Sequence, residues 1–151
     1  MMRAPFDARE ADRAVAYLLV RLTIGASLVG HGLVRLPKLG AFHAQLMVEF
    51  KASMLPAFLV SACGYALPFA ELATGALLVA GALTREAAVA AGVVMIVLVL
   101  GATSIEHFTV IGEQLLHSIL LAAVIAFRSH NTYSVDRLLT RSAAGPRSSR
   151  R

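Results

Sequence analysis

Four ionisable residues stand out in the interior of the apolar runs of this chain: Arg21 and His31 in the first run, Glu71 in the second and His117 in the last. A titratable side chain in an apolar helix is expensive unless it is paired or turned toward a polar interior, so each is a candidate for function. The ends of the runs sort them into two depths. Arg21 stands about 10 Å from the start of its run and Glu71 about 15 Å from the near end of its own. Gly25 and Gly32 lie near the Arg21 face, and Gly64 and Gly75 lie on the Glu71 face, where small residues let helices approach. The expectation is an intramembrane Arg21–Glu71 ion pair or proton relay. Two other readings stay open. Arg21 can reach back to the near interface beside Tyr17, and Glu71 can bond a backbone carbonyl freed by Pro68.

The second depth is set by His31 and His117, each about 7–8 Å from the opposite boundary. Glu113 precedes His117 by four residues and shares its helix face. Glu106 and His107 follow the third run on the same side. His31, His117, Glu113, Glu106 and His107 therefore form a candidate quinone and proton site, in which imidazole and carboxylate exchange protons with a carbonyl or hydroxyl. The same residues admit two other readings: His31 and His117 as metal or haem ligands, or interhelical hydrogen bonding alone. No HxxxH or CxxH spacing is present, so no metal-ligand set is assigned. His43 and His130 fall in polar segments and read as surface residues, and Cys63 reads as a small packing residue.

The elements that must position these groups are apolar helices. The chain has 151 residues, 58% hydrophobic and 15% charged, with mean hydropathy +0.72; a soluble domain is closer to ~45–50% apolar and ~25% charged. That composition excludes a large soluble catalytic domain and a disordered chain. A single cysteine excludes an intramolecular disulfide or a CxxC pair. Four apolar runs predict spans at 14–36, 57–81, 86–106 and 112–128. Between the first two, Leu39, Phe42, Leu46, Phe50 and Met54 oppose Gln45, Glu49 and Ser53. This segment is amphipathic and too short to span, so it either lies in the interface or packs on the bundle. The expected fold is all-α: an integral membrane four-helix transmembrane bundle with a short amphipathic outer helix between spans 1 and 2. It forms one domain over residues 1–139, followed by a basic disordered tail at 140–151.

The net charge of +5 follows the same layout. Arg3, Arg9, Arg13, Arg85, Arg128, Arg137, Arg141, Arg147, Arg150 and Arg151 collect on the side of both termini, against Arg35, Lys38 and Lys51 opposite. The imbalance predicts cytoplasmic termini. Basic residues that mark run ends point to a lipid bilayer as partner and away from nucleic acid.

Motifs along these runs resemble the DoxX family of small bacterial membrane proteins over residues 17–139. They are His31-Gly32-Leu33-Val34-Arg35-Leu36, with Arg35 where the family usually has lysine; Pro68-Phe69-Ala70-Glu71 followed by Gly75; Leu77 through Arg85; and Tyr133-Ser134-Val135-Asp136. Ser129-His130-Asn131 departs from a link that is often glycine-rich in the family. The resemblance implies a four-helix protein of the bacterial cytoplasmic membrane. Some such proteins are membrane subunits of quinone-linked oxidoreductase complexes. The expected function is therefore a quinone-linked membrane subunit with no intrinsic cofactor, working with a redox protein partner. The alternative is a non-enzymatic scaffold, biogenesis factor or small-molecule carrier. Assembly into a homo-oligomer is compatible with either.

Overall fold

The computed structural model describes residues 6–143 and is all-α. Its helices are α1 (Phe6–Arg35), α2 (Leu39–Glu49), α3 (Ala57–Ala80), α4 (Thr84–Ser104), α5 (Ile111–Ala126) and α6 (Val135–Ala143). Four helical regions, built on α1, α3, α4 and α5, are long and apolar enough to cross a membrane. α1 packs on α3, α3 on α4, α4 on α5 and α5 back on α1, so the four close into a ring.

The α1–α3 seam sets the register of the ring. Gly25 and Gly32 on α1 are seven residues apart, as are Pro68 and Gly75 on α3. A methyl placed on Gly75 would stand 2.6 Å from the Val29 nitrogen, and one on Gly32 would stand 2.8 Å from the Pro68 carbonyl oxygen. No side chain fits there, so the two backbones lock with Gly32 level with Pro68 and Leu72, and Gly25 level with Gly75 and Val79. The core beside the seam joins Ile24, Leu28, Leu78, Met95, Leu121 and Val124 to a small-residue face of α4, Ala87, Ala88 and Ala91. The outward faces are apolar as well: Leu19, Phe58, Phe69, Ile96, Leu100 and Ile119 are each more than half exposed. An exterior as apolar as the interior is the pattern of a chain solvated by hydrocarbon.

The chain turns sharply between α3 and α4. Gly81 takes the left-handed conformation (φ 68°) that ends α3. Ala82 N–H donates to the Leu77 carbonyl at 3.0 Å and Gly81 N–H to the Leu78 carbonyl at 3.2 Å, the paired bonds of a Schellman motif. Leu83 is also left-handed, at φ 46°.

The expected spans and the helices agree in number and differ at their ends. α1 starts at Phe6 rather than at residue 14, because the charged segment before the apolar run continues the same helix. The amphipathic segment after it forms α2, which packs on α3 rather than standing apart. His43, expected at the surface, stacks on Tyr65 with ring centroids 4.3 Å apart. Its Nε2 lies 2.9 Å from Ser61 Oγ. His130 is likewise partly buried, with Nδ1 3.8 Å from the Glu10 carboxylate. Of the expected tail, residues 140–143 form the last turn of α6. Residues 144–151, with Arg147, Arg150 and Arg151, lie outside the described residues, as does Arg3.

Candidate functional site

Arg21 and Glu71 do not pair. The glycine seam places Arg21 level with the Gly81 turn and Glu71 level with His31 and Arg35. The two are therefore separated by roughly three helical turns, about 15 Å. The apolar onset at Ala14 marks where hydrophobicity begins, and it does not mark the level of the α3–α4 turn. That displacement defeats an estimate made from run ends. Both side chains are buried, each 2% exposed, and each has found another partner.

Glu71 is held by Arg35. A single guanidinium nitrogen, Nη1, donates to both carboxylate oxygens, at 2.5 Å to Oε1 and 2.6 Å to Oε2. The guanidinium also lies over the Phe42 ring of α2, 5.0 Å from its centroid. Arg35 ends α1 and was not among the candidates. Its signal in the sequence is the i, i+4 spacing from His31, combined with the seven-residue glycine spacing that brings this face to Glu71.

This pair lies in a cavity of about 310 Å³ at the α2 end of the bundle. His31, His107, Glu113 and His117 line the same cavity, with Gln45, Glu49 and Gln114. Glu106 is not among the lining residues. It is exposed, in the left-handed conformation (φ 55°), just past the end of α4. The His31 and His117 rings are neighbours, with centroids 6.2 Å apart and planes tilted by 56°. His117 Nδ1 is 2.7 Å from the Glu113 backbone carbonyl, which can only accept, so that nitrogen carries the proton. Nε2 is 2.8 Å from Ser27 Oγ. Neither His117 nitrogen has a lone pair free for a metal as the ring stands. His31 is exposed and makes no hydrogen bond among the described residues. Gln114 Oε1 is buried and has no partner among them.

Against this polar cavity lies an apolar one of about 350 Å³, lined by Phe50, Leu59, Val60, Cys63 and Val97 among others. Leu46, Leu67 and Leu98 line both. A polar chamber and an apolar chamber thus share a wall of three leucines between α2, α3 and α4.

No family model, curated protein or solved structure matches this chain.

At the other end of the bundle Arg21 closes a different cluster. Nη1 donates to Asn131 Oδ1 at 2.6 Å and Nη2 to the Tyr133 carbonyl at 2.7 Å. Asn131 in turn donates to Thr84 Oγ1 at 3.1 Å. Asp136, on α6, accepts from the Leu83 and Thr84 amides at 2.8 and 3.0 Å and from the Thr84 hydroxyl at 2.8 Å. A carboxylate from 52 residues downstream thus satisfies the first amides of α4 and suits the positive end of that helix. Burial pushes the Asp136 carboxyl up, but the three donors and the nearby Arg21 charge outweigh it, so its pKa lies below the usual carboxylate range. A depressed pKa means the capped form contributes stability at neutral pH that is lost as pH falls through the folded value. The thermal midpoint of Asp136→Asn is accordingly lower than wild type at neutral pH. The gap narrows below the usual carboxylate range, as a parallel series of melting curves against pH would record. A gap that stays constant with pH would rule out the charged cap.

Proposed function

We propose that this chain is a DoxX-like multi-pass membrane protein that binds a quinone at the α2 end of its bundle. In this reading it is the membrane subunit of an oxidoreductase complex in the bacterial cytoplasmic membrane. Both termini are cytoplasmic and the α2 end faces outward. The observation that carries the reading is the junction of the two chambers. A polar cavity holding Glu71–Arg35, His31, His117 and Gln114 adjoins an apolar cavity across Leu46, Leu67 and Leu98. That is the shape of a site for an amphiphile with a small polar head and a hydrocarbon tail.

The residues present fit the head of a quinone or quinol. The Gln114 Oε1 acceptor is buried without a donor, and a ligand hydroxyl satisfies it. His31 offers an imidazole with no competing bond among the described residues, and an imidazole can donate to or accept from an oxygen head group. His117 is held by Ser27 and the Glu113 carbonyl, so it orients the site while His31 stays free to turn. A bound quinone supplies two-electron, two-proton chemistry, and a partner protein supplies the electrons. The chain's own residues bind, orient and exchange protons.

Titration of the purified full chain in mild detergent with a short-chain quinol tests the reading. Binding is saturable, and His31→Ala and Gln114→Leu each weaken it about tenfold, the loss of one good hydrogen bond, with helix content unchanged. If no saturable binding of quinone or quinol occurs, the reading fails. Saturable binding of other hydroxyl-bearing amphiphiles in its place would favour the carrier alternative, which the same two chambers also suit.

A further inference from the structure

The strongest unassigned feature lies at the opposite end of the bundle from the two chambers. Arg85 from the start of α4, Arg128 from the segment after α5 and Arg137 from α6 line one cavity of about 440 Å³. All three side chains are exposed. Among the described residues, Arg128 and Arg137 form no ion pair, and Arg85 Nη1 is 3.7 Å from the exposed Glu86 carboxylate. Asp136 also borders the cavity, but its two oxygens are taken by Leu83 and Thr84. Three guanidiniums from three separate elements therefore line the cavity against two carboxylates, Glu86 and the hydrogen-bonded Asp136, and leave its lining net basic.

α6 is not a loose appendage beside this cavity. Asp136 N–H donates to the Gly81 carbonyl at 3.0 Å, and its carboxylate holds the first amides of α4. The helix thus starts at a fixed point on the α3–α4 turn, where the apolar helices end. Its apolar residues Leu138 and Leu139 are 63% and 64% exposed. Phe127 and Tyr133, in the segment between α5 and α6, are also more than half exposed. Basic guanidiniums flank an outward apolar strip at the level where spans end, which is the arrangement of a helix lying in the headgroup layer.

We propose that Arg85, Arg128 and Arg137 bind the phosphate of an anionic phospholipid, with α6 seated on the bilayer surface through Leu138 and Leu139. Guanidinium is the natural partner for a phosphate diester, since it can donate two parallel hydrogen bonds to one anion. The apolar strip selects a lipid over a soluble anion, because a free phosphate gains nothing from Leu138 and Leu139. This site is independent of the quinone reading, sharing no residue with it.

The test uses the full chain in mild detergent, titrated with phosphatidylglycerol and with phosphatidylcholine, retention being read by native mass spectrometry. Wild type retains phosphatidylglycerol in preference to phosphatidylcholine. Each single arginine-to-glutamine change lowers that preference about fivefold, and the triple change R85Q/R128Q/R137Q about a hundredfold. Leu138→Ser with Leu139→Ser weakens phosphatidylglycerol and leaves binding of inorganic phosphate as it was. Equal retention of the two lipids by wild type overturns the proposal without reference to any variant. Displacement of phosphatidylglycerol by inorganic phosphate at equal concentration would overturn it in favour of a soluble anion.

Discussion

Replacing Arg35 with methionine lowers the stability of the folded chain by about 3–5 kcal/mol, the usual consequence of removing one partner of a buried ion pair. Glu71 is 2% exposed, and the Arg35 guanidinium is its one ion-pair partner among the described residues. Without it a buried carboxylate is left with no counter-charge among the described residues. Lysine at position 35 is a much milder change, within about 1 kcal/mol of wild type, because one guanidinium nitrogen makes both contacts to Glu71. An ammonium can take that place, although it gives up part of the guanidinium's contact with Phe42. The double variant Arg35→Met with Glu71→Leu recovers about 1–4 kcal/mol, since apolar side chains often replace a buried pair without loss. It remains unable to bind the quinol head if the pair belongs to the site. Denaturant unfolding in detergent, read beside quinol titration of the same four proteins, separates the two roles. Equal stability of wild type and Arg35→Met would show that the pair does not hold the bundle.

Much of this architecture is legible in the sequence, and the part that is not has a definite physical origin. Apolar run length and composition give the four long helices, because hydrocarbon solvation demands about twenty apolar residues and leaves few alternatives. Convergence of His31, His107, Glu113 and His117 is legible too, because three stand near the same end of the bundle on α1 and α5 and His107 lies in the loop that joins α4 to α5 there. The pairing of Glu71 is not recovered from hydropathy, since the onset of an apolar run says nothing about how one helix slides along another. That register is written instead in Gly25, Gly32, Pro68 and Gly75, whose heptad spacing allows one close approach. Read with that spacing, Glu71 falls opposite His31 and Arg35. Helix α6 escapes notice for another reason. Its nine residues are too few for a span, and its position depends on Asp136 reaching α4, a contact across 52 residues that no local pattern records.

The motifs that look separate along the chain come together in two clusters. Arg35 and Glu71 stand in the motifs of α1 and α3 and meet at the α2 end. Thr84 and Asp136 stand in the motifs after α3 and α5 and meet at the other. One end offers a cavity with an unsatisfied acceptor. The other, where Arg21 Nε is buried without a partner among the described residues but both Nη atoms are bonded, serves as a latch.

Arg21 is the bolt of that latch, and its replacement has the second large effect. Unlike Arg35, it uses its fork: separate nitrogens reach Asn131 Oδ1 and the Tyr133 carbonyl. Lysine has one nitrogen and cannot make both bonds in that geometry, so Arg21→Lys loses about 1.5–3 kcal/mol, the worth of one hydrogen bond to a charged group. Arg21→Met loses both, leaves two acceptors unpaired and destabilises by about 3–5 kcal/mol. The position tolerates no larger neighbour either, since a Cβ on Gly81 would fall on the Arg21 guanidinium. The effect is local in its first stage. Asn131 is released, Thr84 Oγ1 loses a donor, and the segment carrying Asp136 detaches from α4. Hydrogen exchange therefore accelerates at the Leu83, Thr84 and Asp136 amides in Arg21→Lys, while the α1–α3 seam around Gly32 keeps its protection. Uniform loss of protection along α1 and α3 would show that Arg21 supports the whole bundle and not the latch alone. The opposite behaviour of lysine at positions 21 and 35 follows from how many nitrogens each guanidinium uses.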